Sequence, residues 1–352
     1  MMVWLFCTFV ECALQREYES VLRVCAAMSS GDFLCKDAVT PLCEHYTAAG
    51  AICSFSTNCE ALLEAARESF LLIETPPATL DFSIRFWVDT NSARPPWPKP
   101  YARGLGHLVF AGFDCGSSML ADLRARHVIG RFSAGMAGDR SYWKTVIFPM
   151  LLSILGASVG ITELHCACVA KGENGFLLAG PSGSGKSTLA LALSQAGFGF
   201  LSDDRTYCSL GDDTALAWSL PTRLKLRCES AAWFRQLEDR QPTEVQKGEH
   251  VFWLDPVDDL GLERVRRCRP RAVIFLEQFE GSGFDVSQVL SVEAMSRLDV
   301  DLMAELPDAA AKQSETIARL VESPCWLLKY GGDPLTIAGK IADHLEKACL
   351  TD

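Results

Sequence analysis

Three glycines, a lysine and a hydroxyl stand at fixed spacing in Gly180-Pro181-Ser182-Gly183-Ser184-Gly185-Lys186-Ser187, followed by Thr188. The stretch matches G-x-x-x-x-G-K-[ST], the Walker A pattern of phosphate-binding loops. Glycines let successive backbone N–H groups turn inward onto phosphate oxygens, and a helix N-terminus behind them favours the negative charge. Lys186 is placed to reach the β- and γ-phosphates, and the Ser187 hydroxyl to ligate Mg²⁺. The pattern implies that the chain binds a nucleoside triphosphate, ATP with Mg²⁺.

Such a loop works only between a strand and a helix. Phe176 to Ala179 is a short apolar run that reads as a buried strand, and Ser187 to Ala196, rich in Leu and Ala, reads as a helix. Gly197 to Ser202 reads as the next strand, ending on Asp203-Asp204. One helix and one strand past the loop, both carboxylates can arrive at the same sheet edge as the phosphates. Adjacent acids there can divide two tasks of phosphoryl transfer: one holds Mg²⁺, the other takes the proton of the attacking hydroxyl. The spacing does not say which acid does which.

Other residues could join them. His165 precedes a strand at Ile161 to Ala170 that is split from the Phe176 strand by a Lys171–Gly175 turn. That hairpin-like entry differs from the usual βαβ entry of a GTPase or ABC ATPase. Arg223, Lys225 and Arg227 alternate in Pro221–Arg227, so a strand would show all three on one face, either to solvent or to phosphates. Lys225 is the foremost of the three as a phosphate-stabilising cation. Glu263–Arg271 packs five arginines into nine residues, a solvated loop or a contact for an acidic peptide or nucleotide. Glu277 ends the apolar run Ala272–Glu277 in the manner of a Walker B acid, or simply where a buried strand surfaces.

Leu164-His165, Gly180–Thr188 and Gly197-Phe-Gly-Phe-Leu-Ser-Asp203-Asp204 together resemble the C-terminal kinase domain of the HPr kinase/phosphorylase family, whose phosphate-binding core is similar to that of PEP carboxykinases. The resemblance covers about residues 160–210, and the later layout looks like stand-alone bacterial HPr-kinase-like proteins, some of which phosphorylate a serine of a precursor peptide. It implies an α/β fold: a P-loop nucleotide-binding domain of the HPr kinase/PEP carboxykinase type with a smaller N-terminal α+β region. It also implies ATP-dependent phosphorylation of a serine hydroxyl on a peptide or protein. Asp203 or Asp204 would be the base, the other would help hold the metal (with Ser187, Asp204 is the metal-binding choice), and His165 would lie near the phosphates. An oligomer is compatible with it. The family's Glu-Arg-Gly-Leu-Gly motif has no counterpart; Pro221–Arg227 stands in that region, so neither a phosphorylase reaction nor HPr as substrate is expected. A small-metabolite kinase and a non-catalytic ATP-binding regulator remain the alternatives.

The totals bound the rest. The chain has 352 residues, enough for a main domain and a smaller one. The expected division is a poorly defined helical region over 1–78, a small β-rich domain with a linking helix over 79–150, and the P-loop domain over 151–352. In the first region Glu11–Met28 and Cys59–Leu72 read as amphipathic helices. In the second, Leu80–Val88, His107–Phe113 and His127–Phe132 read as strands of an antiparallel sheet, with a helix at Tyr142–Leu155. Beyond Asp204, strands are expected at Thr206–Leu210, Ala215–Leu220 and Cys325–Tyr330, helices at Glu229–Leu237, Ala309–Val321 and Asp333–Ala348, and loops through 238–270. The net charge of −11 argues against nucleic acid and anionic membrane as partners. Fifteen cysteines contain no C-x-x-C pair, which fits small buried thiols in a reducing cytoplasm better than a zinc site. The apolar start MMVWLFCTFV lacks the basic flank and cleavage site of a signal peptide. Val146–Thr162 is uncharged but for length and its Pro and Gly reads as a buried helix.

Overall fold

The computed structural model describes residues 38–90, 93–211, 214–244, 250–298, 300 and 306–349. The helix expected over Glu11–Met28 lies outside the described residues. The fold is mixed α/β, with two large sheets and one small one.

The first sheet has eight strands: β1 Leu42–Ala48, β2 Ala51–Thr57, β3 Leu71–Ile73, β4 Phe82–Asp89, β5 Tyr101–Leu105, β6 Leu108–Gly112, β7 Ser118–Asp122 and β8 His127–Ser133. Their order is β3-β1-β2-β4-β8-β7-β6-β5. The hairpin β1–β2 falls between the two expected helices, in a region expected to be helical and poorly defined, and it turns on Ala49 and Gly50, both at positive φ. Such a turn matches the right-handed twist of paired strands. Of the expected helix Cys59–Leu72, Glu60–Ser69 (α1) is helical and the end is strand β3. Nor is this sheet purely antiparallel, since β4 runs parallel to both β2 and β8. Arg140–Val159 (α2) follows as one continuous helix with π and 3-10 turns. It is the one helix among the described residues long and apolar enough to cross a membrane, and over half of its apolar window is buried in this protein.

The second sheet carries nine strands. In chain order they are β9 Ile161–Leu164, β10 Cys166–Lys171, β11 Asn174–Ala179, β12 Gly199–Ser202, β13 Thr206–Leu210 and β14 Ala215–Trp218, then β18 Arg267–Gln278, β19 Gly283–Gln288 and β20 Cys325–Gly331. Between β14 and β18 in the chain, β15 Leu224–Arg227, β16 Thr243–Glu244 and β17 His250–Leu254 form the small third sheet; β15 falls in the alternating basic segment, while β16 and β17 lie in the stretch expected to be loop. The strand expected over Ile161–Ala170 breaks at His165, so β9 pairs with β13 while β10 pairs with β11 and β12. The hairpin read before the glycine loop is present as the antiparallel β10–β11 pair. β18 is twice as long as the apolar run suggested, because its Arg-rich first half pairs with β14 and its apolar second half with β20. Helices α3 Lys186–Gln195, α4 Ser291–Arg297, α5 Pro307–Leu320 and α6 Pro334–Cys349 cover the sheet, and α3 packs on α6. The helix expected over Glu229–Leu237 is only two short turns.

Burial explains the strands around the loop. Ala167, Val169, Phe176 and Leu178 face one apolar cluster while Cys166, Cys168, Leu177 and Ala179 face another, so β10 and β11 are covered on both sides. A sheet sandwiched in this way reads as a continuous apolar run instead of alternating. The buried cysteines Cys166, Cys168, Cys208, Cys268 and Cys325 behave as small apolar side chains in that core, and burial pushes the thiols of Cys166, Cys208 and Cys325 up.

Candidate functional site

β11 delivers the chain to the glycine loop and α3 begins at Lys186. Gly180, Gly183 and Gly185 all adopt positive φ. At Gly185 the requirement is also steric: a Cβ there would sit 2.1 Å from Tyr330 Oη and 2.5 Å from Gln278 Nε2. Those two groups brace the loop from behind. Gln278 Nε2 donates to Tyr330 Oη at 2.9 Å, and the tyrosine hydroxyl donates to the Ser184 carbonyl at 2.9 Å.

Lys186 is only 7% exposed and folds over the loop, where its ammonium donates to the carbonyls of Gly180 at 2.7 Å and Pro181 at 3.2 Å. Burial pulls its pKa below the usual lysine range, with Asp204 opposing that shift. A cation held over a concave run of backbone is suited to an anion, since these two carbonyls satisfy it only in part. Ser187 and Thr188 open the first turn of α3 beside it, and both line the same cleft.

The two aspartates sit in a bracketed turn. Ser202 and Thr206 hydroxyls meet at 2.5 Å across it, and Thr206 Oγ1 donates to the Cys166 carbonyl at 3.0 Å. Because Cys166 follows His165, this hangs the turn directly beside the histidine. His165 Nδ1 lies 3.1 Å from Asp204 Oδ1. Arg205 extends the array, lying 4.0 Å from Asp204 and donating at 3.0 Å to Ser153 of α2.

The two carboxylates differ sharply. Asp203 is 5% exposed, and its Oδ2 accepts the Lys225 backbone N–H at 3.0 Å. Burial pushes its pKa up to about 7, and the neighbouring Asp204 adds to the rise while the Lys225 amide resists it. Asp204 is exposed and paired with an imidazole. One acid is thus poised to exchange a proton near neutral pH, and the other is open to a cation.

All these groups line one cleft of about 1230 Å³. Arg223, Lys225 and Arg227 stand along one side on or just before β15, as the alternate spacing requires, while Leu224 and Leu226 turn into the core. Thr145, Val146, Pro149, Met150 and Ser153 of α2 also line the cleft, and Ser153 contacts Arg205. Sequence reasoning missed this wall, for the apolar pattern of α2 gives no hint of what it faces. It also missed Tyr330, Gln278, Trp233 and Trp253. Only the position of Gln278 beside the strand end at Glu277 could have pointed to that residue.

Two of the functional alternatives raised by the sequence do not hold here. Glu277 is not among the cleft-lining residues; it pairs with Lys329 at 3.4 Å, and strand alternation sends Gln278 inward in its place. The five arginines of Glu263–Arg271 are not a shared contact surface either. Arg264 binds Asp255 at 3.1 Å, Arg266 donates to the Glu68 carbonyl at 3.1 Å, and Arg267 lies over Trp218. Arg269 pairs with Glu173 at 3.9 Å, and Arg271 donates to Asn174 at 2.8 Å. Among the described residues no group of three or more His, Cys, Asp or Glu could hold a metal ion by itself. Ser187 and Asp204 are hard oxygen donors, which suits Mg²⁺, an ion that takes one or two protein oxygens and completes its shell with phosphate and water.

No protein-family model matches this chain, and no curated protein matches it significantly. Among solved structures, the Hpr(Ser) kinase/phosphatase from Coxiella burnetii aligns with 53% of this chain and 97% of its own, at 14% identity and a TM-score of 0.27. A likeness at that level makes it a distant structural neighbour, and no activity follows from it.

Proposed function

We propose that this chain is an ATP-dependent kinase with a P-loop type of nucleotide site, transferring the γ-phosphoryl group of ATP to a serine hydroxyl of a peptide or protein. The observation that carries the reading is Asp203: a buried carboxylate with a pKa near 7, in the same cleft as a glycine loop and a buried lysine. A pure nucleotide sensor has no use for a tuned base.

In this reading the loop amides and Lys186 hold the phosphates, with Ser187 and Asp204 supplying protein oxygens to Mg²⁺. The ion would neutralise charge on the β- and γ-phosphates. Asp203 accepts the proton of the attacking serine hydroxyl as the O–P bond forms and ADP leaves. His165 orients Asp204. Lys225 and Arg227 face the equatorial oxygens as charge shifts in transfer.

The size of the cleft favours a peptide over a metabolite. Single-ligand pockets hold roughly 300–1,000 Å³, and here the lining also includes the apolar Val146, Pro149 and Met150, which the phosphate chemistry does not use. A serine-containing peptide library and a panel of hydroxylated metabolites, each incubated with protein, ATP and Mg²⁺ and read by mass spectrometry, separate the cases. Phosphoserine on peptides supports the proposal; phosphate appearing on metabolites alone would replace it with the smaller substrate.

A further inference from the structure

The cleft contains two large aromatic side chains that the phosphate and proton chemistry leaves unused. Trp233 and Trp253 both line it and are 45% and 43% exposed, whereas the other lining aromatics, Tyr207 and Tyr330, are 1% and 2% exposed. Half-exposed tryptophans in a polar cleft are uncommon, because indole is normally covered.

Their position is specific. Strand register sets Trp253 directly opposite Lys225, so their Cβ atoms lie roughly 5 Å apart on one face of the small sheet. Two residues along β15, Arg227 reaches the tip of the glycine loop, where its Nη1 lies 3.9 Å from where a Gly183 Cβ would stand. The chain leaving Arg227 then makes the turn that presents Glu229, Ser230 and Trp233 to the same cleft. The small sheet and the turn that follows Arg227 therefore offer cations and open aromatic faces side by side. The ligand that fits such a face is an anion attached to a flat aromatic ring.

We propose that Trp233 and Trp253 form the platform on which the nucleobase of the triphosphate stacks, so that the region carrying the cations also selects a nucleotide over a bare polyphosphate. This rests on the nucleotide reading of the site. Stacking uses the π-face of the base, needs no desolvation of charge, and leaves the loop to hold the phosphates.

Calorimetric titrations with Mg–ATP and with Mg–tripolyphosphate test it, on wild type, Trp233→Ala, Trp253→Ala, the double variant and Trp253→Phe. Base–aromatic stacking is worth about 1–3 kcal/mol, so the double variant should lose about 5- to 150-fold in ATP affinity. Tripolyphosphate affinity should not move, and Trp253→Phe should keep most of the ATP affinity because a flat ring remains. If the double variant binds ATP as wild type does, the platform is wrong and the nucleotide site stands. Equal weakening of both ligands also overturns it, since the tryptophans would then act only by shaping the loop. If wild type binds neither ligand, the nucleotide reading itself fails.

Discussion

Asp203 is a carboxyl group held out of water, with the backbone amides of Lys225 and of Asp203 itself only partly offsetting the cost of its charge, and that combination has two measurable consequences. In transfer it must be ionised, so the rate should rise with pH and level off above about 7. Asp203→Asn should lower kcat by about 10²- to 10⁴-fold, the usual worth of a positioned base, while ATP still binds. Stability should move the other way. A carboxyl whose folded pKa lies above its unfolded value of 3.8 contributes fully below that value, and the contribution is lost as pH rises towards about 7. Thermal melts across pH 4–8 should therefore show wild type losing stability relative to Asp203→Asn as pH rises; parallel curves would mean that the carboxyl titrates in the folded protein as it does in the unfolded chain and that its pKa is not raised. Asp203 and Asp204 were legible as a pair from their place after the loop helix. What each does was not, because only burial separates them, and burial depends on where Lys225 lies.

At the scale of elements, the glycine loop depends on strands that arrive from far along the chain. Tyr330 on β20 and Gln278 on β18 occupy the space next to Gly185. Gly185→Ala should destabilise the protein by about 1–3 kcal/mol, since the new methyl clashes and its backbone is at φ +87. Chemical denaturation checks this, and Tyr330→Phe, which removes one hydrogen bond without a clash, should cost less. The loop and its flanking strand and helix could be read directly, because phosphate chemistry fixes the residue types. The hairpin β1–β2 could not: it consists largely of Cys, Ala, Ser and Thr, and it turns on Ala49-Gly50, not the usual Asn-Gly. β17 escaped notice for another reason: it is five residues long within a polar, loop-rich stretch, and its exposed Trp253 faces the cleft.

The whole molecule is tied together across its two large sheets. The cluster that buries Phe55, Phe86 and Phe148 also takes in Ile161, Tyr207, Trp218 and Leu220 from the second sheet and its connections. Glu68 on α1 meets Lys144 at 3.0 Å and, through its carbonyl, Arg266. α2 is at once the wall of the cleft and a member of the shared core. Thermal unfolding should therefore be one cooperative transition by fluorescence and circular dichroism alike, and two separated transitions would show the halves to be independent. Mg–ATP at 100 times its Kd should stabilise the wild type by about 2.7 kcal/mol and raise its Tm. The same nucleotide should leave Lys186→Ala unmoved, because the loop has lost its cation.

The central claim is a transfer, and the direct measurement follows the γ-phosphate itself. The protein is incubated with γ-labelled ATP, Mg²⁺ and a serine-containing peptide library, with Asp203→Asn and Asp204→Asn alongside. Label is expected on peptide serine with wild type, and is expected to be lost in Asp203→Asn with ATP binding retained. Tight ATP binding by wild type with no label on any serine, or undiminished labelling by Asp203→Asn, would contradict the central claim.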